Sequence, residues 1–168
     1  IRKGNLFDVD VLDNERVRIT RLLRNNGYYY FNKEYVRFLA DSSLNTNSVD
    51  VIIRIRKMER TGERNTVLRS NHEVFSINSI TYILVNDVLD INGYTNQKTK
   101  KDTLFYKDKR IIYNNLFINP SILDDNTFIT IGDNYSEYDT EKTYRRINNV
   151  HVSQFLRIDF SETPLLSD

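Results

Sequence analysis

Residues 4–41 read GNLFDVDVLDNERVRITRLLRNNGYYYFNKEYVRFLAD, and two periods meet inside that stretch. Leu12, Ile19, Leu22 and Leu23 recur at helical spacing. Asp13 can accept hydrogen bonds from first-turn amides, and Glu15 suits the positive end of a helix, so a helix is expected to open at Asp13. Gly27 then supplies a left-handed stop. The preceding Phe7, Val9 and Val11 are ambiguous between a short strand and an irregular lead-in. After the stop, Tyr28, Tyr29, Tyr30 and Phe31 form an aromatic run suited to anchoring the helix on a sheet. A strand is expected over 35–40.

Outward from there, Val49, Val51, Ile53 and Ile55 alternate with Asp50, Ile52, Arg54 and Arg56, the period-2 pattern of a strand buried on one side. Residues 58–71 are polar, contain Gly62 and show no period, so they read as a linker or long turn. A long strand is expected over 75–85, an exposed loop over 87–102, and a hairpin of 104–106 with 110–113 turned at Lys107, Asp108 and Lys109. Pro120 can open a short helix continuing through 121–124. A second helix follows, with Ser136 or Asp139 as cap, Glu141 in its first turn, and Tyr144, Ile147 and Val150 on one face. Residues 155–160 read as a strand in which Leu156, Ile158 and Phe160 alternate with Arg157 and Asp159. The division expected is a first partial unit over 1–57, a linker over 58–73, a second unit over 74–162 with a long insertion at 87–115, and a frayed tail over 163–168.

The two units share a weak internal repeat. Gly4 with Phe7, an acidic and basic step at 13–16, a helix and a strand recur as Gly132 with Tyr135, a similar step at 139–142, a helix and a strand.

Composition narrows the chemistry. In 168 residues, Lys+Arg 24 and Asp+Glu 23 leave a net charge of +1, so attraction to nucleic acid or acidic lipid would need a local patch. With no cysteine, a disulfide framework, a thiolate zinc site and a thiol nucleophile are excluded. The 39% of hydrophobic residues, with Tyr 11 and Phe 9, is enough for a packed core. No apolar run approaches the roughly 20 residues that span a bilayer, so a soluble chain is expected. Because it opens on Ile1, we read it as a processed or excised piece.

No catalytic constellation is legible, so no enzyme, cofactor or metal is expected. His72 and His151 stand apart without neighbouring ligands, which points to surface or packing roles. Asp8, Asp10, Asp13 and Glu15 resemble a calcium loop only in composition, because Leu12 takes a ligand position and the mid-loop glycine is missing. There is no Gly-x-Ser-x-Gly turn for a serine nucleophile, and five glycines leave little room for a phosphate loop. Asp124 and Asp125 are adjacent and cannot share a helix face as an acid and base pair. Arg16, Arg18, Arg21 and Arg24, with Arg54, Arg56, Lys57 and Arg60, form the one pattern that points toward nucleic acid; a solvated basic face is the plainer reading.

The phrase Gly4-x-x-Phe7, Leu12-Asp13-x-Glu15-Arg16, Ile19-x-x-Leu22-Leu23-Arg24-Asn25-Asn26-Gly27-Tyr28-Tyr29, then Tyr35-Val36-x-Phe38-x-Ala40-Asp41, resembles a POTRA (polypeptide-transport-associated) domain of an outer-membrane protein assembly factor of the BAM or TAM type, closest to Bacteroidetes forms. The second unit resembles the next repeat of such an array: Ser76 to Ile80 as entering strand, Gly132-Asp133-x-Tyr135, and Thr143-Tyr144-x-x-Ile147-x-x-Val150 before the last strand. It departs from the family in its insertion at 87–115 and in lacking a glycine-tyrosine pair after the helix.

The resemblance implies an α+β fold of tandem small mixed sheets, each with two helices packed on one face, both repeats incomplete here. It implies no catalysis. The expected function is a periplasmic scaffold, part of a bacterial outer-membrane protein. Its expected partners are unfolded outer-membrane protein chains or accessory assembly subunits, with a transmembrane β-barrel in the same parent chain and no nucleic acid. Clients would add to an open sheet edge through backbone hydrogen bonds. That edge maps onto Tyr35, Val36, Arg37, Phe38, Leu39 and Ala40 in the first unit and onto Phe155, Leu156, Arg157 and Ile158 in the second. Proline at Arg37 would remove a client contact if that amide faces outward, and Val36 or Phe38 is the position to test if it faces inward. The alternative is a nucleic-acid-binding α/β module.

Overall fold

The computed structural model describes residues 4, 6–41, 48–61, 66–85, 101–150 and 156–162. It is an α+β protein of small separate sheets and few helices. The chain divides into two compact units, Ile1–Phe75 with Asn134–Glu137, and Ser76–Asp133 with Tyr138–Asp168.

In the first unit, helix α1 spans Val9–Arg24. It opens one turn before the expected Asp13, because Asp8 sits in extended backbone and its carboxylate accepts from the Asp10 amide at 2.8 Å. Asp13 instead pairs with Arg16 at 2.6 Å. Half-buried Leu12, Ile19 and Leu23 share one face, whereas Leu22 is 53% exposed and falls off it. The helix ends at Gly27, whose φ is +96°, and the Tyr28 amide reaches back to the Leu23 carbonyl at 3.2 Å. A Cβ at Gly27 would lie 2.5 Å from Val74 Cγ1, so close packing as well as the left-handed backbone requires glycine there.

The aromatic run then turns inward. Phe31 is fully buried and meets His72 edge-on at 4.8 Å, while Tyr29 meets Phe75 and the buried Tyr135. His72 takes a packing role, with Nε2 2.8 Å from the Arg56 carbonyl oxygen. A 3₁₀ turn, Lys33–Tyr35, leads into β1 (Val36–Asp41), which pairs antiparallel with β2 (Asp50–Ile55) in the register Val36↔Ile55 to Asp41↔Asp50. The expected one-sided burial of β2 does not occur: Ile52, Ile53 and Ile55 are 51%, 46% and 50% exposed. Among the described residues α1 lies against β1, and most β2 side chains stay exposed. Where a linker was expected at 58–73, β3 (Met58–Thr61) and β4 (Val67–Ser70) form an antiparallel hairpin. Every described β4 residue is exposed, so no hydrophobic alternation marks the hairpin, and the cross-strand pair Glu59 and Arg69 at 3.0 Å helps hold it. Among the described residues α1 is the one α-helix lying wholly in this unit.

The second unit has a three-stranded sheet in the order β5-β7-β6, with β5 (Thr81–Leu84) parallel and β6 (Asp102–Tyr106) antiparallel to the central β7 (Lys109–Tyr113). The expected strand over 75–85 shortens to Thr81–Leu84, because Ile77 spends its backbone groups on the loop at Gly132 and Asp133. The hairpin falls where expected, turned at Lys107 and Asp108, with Lys107 at φ 53°. Residues 101–115, within the expected insertion, carry the central strand, and Ile111 there is fully buried. Residues 87–100 of the expected insertion lie outside the described residues.

Asn119 caps α2 (Pro120–Asp125), which buries Leu123. Helix α3 (Glu137–Asn149) buries Thr143 and Ile147, while Tyr144, expected on that face, is 45% exposed. The Thr143 hydroxyl accepts from the Phe128 amide at 2.8 Å, which satisfies the buried polar group. Of the strand expected over 155–160, the described residues 156–160 form none, although Leu156, Ile158 and Phe160 are half-buried and Arg157 and Asp159 exposed. Phe155 and the tail at 163–168 lie outside the described residues, as does His151.

Candidate client-binding edge

The backbone of β1 decides what its edge can do. The Arg56 amide donates to the Tyr35 carbonyl at 2.8 Å, which makes Tyr35 and Arg56 a hydrogen-bonded pair of the antiparallel ladder. Such pairs alternate, so Arg37, Leu39 and Asp41 turn their amides and carbonyls toward β2, and Val36, Phe38 and Ala40 turn theirs away. The Val36 groups are already used: its amide donates to Lys33, and its carbonyl accepts from Arg16 Nε at 3.1 Å. Phe38 and Ala40 retain outward amides and carbonyls with no partner among the described residues. On β2 the corresponding outward row is Val51, Ile53 and Ile55.

Side chains follow the same parity. Val36, Phe38 and Ala40 share one face with Ile55, Ile53 and Val51, an entirely apolar face, whereas Arg37, Leu39 and Asp41 share the other with Arg54, Ile52 and Asp50. The Arg16 guanidinium stacks over the Phe38 ring at 5.6 Å and so closes the Val36 end of the edge. Sequence reasoning placed Arg16 on a solvated basic face. No sequence signal could have assigned it, since its role depends on how α1 lies against β1.

Arg24 braces the first unit. Its guanidinium meets Glu137 at 2.6 Å, the Tyr29 carbonyl at 2.7 Å and the Tyr135 hydroxyl at 3.0 Å. Burial works against the Arg24 charge, but Tyr135 and Glu137 outweigh it and hold its pKa above the usual arginine value. Burial also raises the pKa of the Tyr135 hydroxyl.

Of the second expected edge, the described residues Leu156, Arg157 and Ile158 form no strand. Leu156, Arg157 and Ile158 line a shallow groove of about 440 Å³ with Thr140 and Tyr144, and Arg157 pairs with Asp159 at 2.7 Å. The two stretches named from sequence lie in different units. Elsewhere in the second unit, Asp124 binds both Lys107 and Lys109, the latter at 2.7 Å, and hydrogen bonds from the two ammonium groups lower its pKa. This cluster ties the β6–β7 turn to α2. Among the described residues no group of three or more histidine, cysteine or acidic side chains is placed to hold a metal, and no helix is long and apolar enough to cross a membrane. No family model, curated protein or solved structure matches the chain.

Proposed function

We propose that this chain is a non-catalytic, POTRA-like periplasmic scaffold of an outer-membrane protein assembly or translocation factor, and that β1 takes extended client chains by adding them to its edge. The clients are unfolded outer-membrane protein chains or accessory subunits, and a transmembrane β-barrel belongs to the same parent chain. The observation that carries this reading is the outward row at Phe38 and Ala40, two donors and two acceptors spaced for an added strand. An incoming strand would continue the apolar face at Val36, Phe38 and Ala40, which suits a client of alternating aromatic and small residues. The wording of residues 4–41 supports the family assignment.

Backbone pairing over so few residues must offset the ordering of a peptide, so dissociation constants of micromolar to millimolar order are expected. The test is titration of the chain with a barrel-derived peptide, comparing Ala40→Pro with the parent. Proline at Ala40 removes an outward donor from an edge strand that tolerates it, and binding should disappear while the circular dichroism spectrum stays unchanged. Unaltered affinity in folded Ala40→Pro would overturn the proposal.

A further inference from the structure

A second surface of the first unit carries charge that no internal partner uses. A groove of about 330 Å³ runs between α1 and the segment before β1, lined by Val17, Arg21, Arg24, Phe31, Lys33 and Glu137 among others. Three cations and one carboxylate give it a local charge of about +2, twice the +1 of the whole chain. The single carboxylate is committed to Arg24 at 2.6 Å. Arg21 and Lys33 are exposed and have no acidic partner among the described residues. The groove thus already holds one carboxylate against a guanidinium and presents two further cations beside it.

We propose that this groove is a binding site for an acidic peptide segment, with Arg21 and Lys33 receiving its carboxylates. The volume suits a few side chains, at the small end of ligand sites. Peptide rather than nucleic acid is favoured because the groove's aromatic residue, Phe31, is 1% exposed and offers no face for a base to stack on. Arg21 supplies planar, bidentate recognition and Lys33 a movable point charge. The site is independent of the β1 ladder, since it uses side chains of α1 and the 3₁₀ turn and no edge backbone.

The test titrates the whole chain at low salt with an acetylated, amidated tetraglutamate, its tetraglutamine counterpart, inorganic phosphate and a single-stranded DNA tetranucleotide. The glutamate peptide should bind and the glutamine peptide should not. Arg21→Glu and Lys33→Glu should each weaken binding by about tenfold or more, whereas Lys101→Glu, the same charge change elsewhere, should stay within about twofold. Amide shifts on the parent protein give a reading that needs no variant: Thr20 and Asn32, which also line the groove, should move with tetraglutamate. Equal losses in Lys101→Glu, phosphate binding as tightly as the peptide, tighter binding of the oligonucleotide, or unmoved Thr20 and Asn32 signals would each overturn the site.

Discussion

The two units use similar ingredients and reach different degrees of closure. In the second, β7 lies between a parallel and an antiparallel neighbour, and Ile111 at its centre is fully buried. In the first, β1 and β2 form a ribbon of two, and Ile53 and Ile55 on its apolar face remain about half exposed, at 46% and 50%. A third strand converts a central residue from half-covered to covered and satisfies both of its edges. Its absence among the described residues leaves β1 with backbone groups directed outward, which is the physical basis for reading the first unit as the receptive one.

The difference should appear most sharply in stability. Ile111→Ala should destabilise by about 2–5 kcal/mol, through lost burial and a cavity with little room to collapse. Ile53→Ala should cost less than about 1 kcal/mol, because half of that side chain already faces solvent. Urea unfolding followed by circular dichroism separates the two, and similar costs would erase the contrast.

Glycines compare the units a second way. Gly27 and Gly132 both adopt positive φ, +96° and +92°, but a Cβ meets Val74, Asn134 and Phe75 atoms at Gly27 and nothing within 4 Å at Gly132. Replacement by alanine should cost about 1–2 kcal/mol at Gly132 for the left-handed backbone alone, and about 1–3 kcal/mol more at Gly27 for the contact. Equal thermal shifts would show that Val74 moves aside.

A smaller effect belongs to the brace of the second unit. Asp124→Asn should lower stability by about 1 kcal/mol at neutral pH. The folded pKa of Asp124 lies below the usual aspartate value of 3.8, so its contribution is complete above that value and is lost as pH falls below it. The stability gap between parent and variant should therefore close in acid; a gap that persists there would remove the ion pairs as its cause.

How far these features can be read from sequence follows from what each leaves in the pattern. The turn at Lys107 and Asp108 was legible because polar turn residues separate two β-rich runs, and β1 was placed to within a residue by its apolar spacing. The β3–β4 hairpin was not, since exposed strands need no alternation. At 156–160 the reverse holds: alternating burial exists without a ladder, so the period was real and the inferred strand was not. The start of α1 was misplaced because Asp8 and Asp13 are equally able caps, and only the backbone at Asp8 distinguishes them. For the proposed site, the sequence marked 35–40 as a strand but not which of its amides face outward. That parity depends on the register with β2, which pairs Arg37 with Arg54 and turns the Arg37 amide inward.

Residue-resolved amide hydrogen exchange across β1, with and without a barrel-derived peptide, bears most directly on the edge. In the free protein, Arg37 and Leu39 should exchange slowly and Phe38 and Ala40 fast, following the ladder. With peptide bound, Phe38 and Ala40 should become protected while Arg37 and Leu39 change little. Unchanged exchange at Phe38 and Ala40 under saturating peptide, or protection at Ile53 and Ile55 instead, would contradict β1 as the client-binding edge.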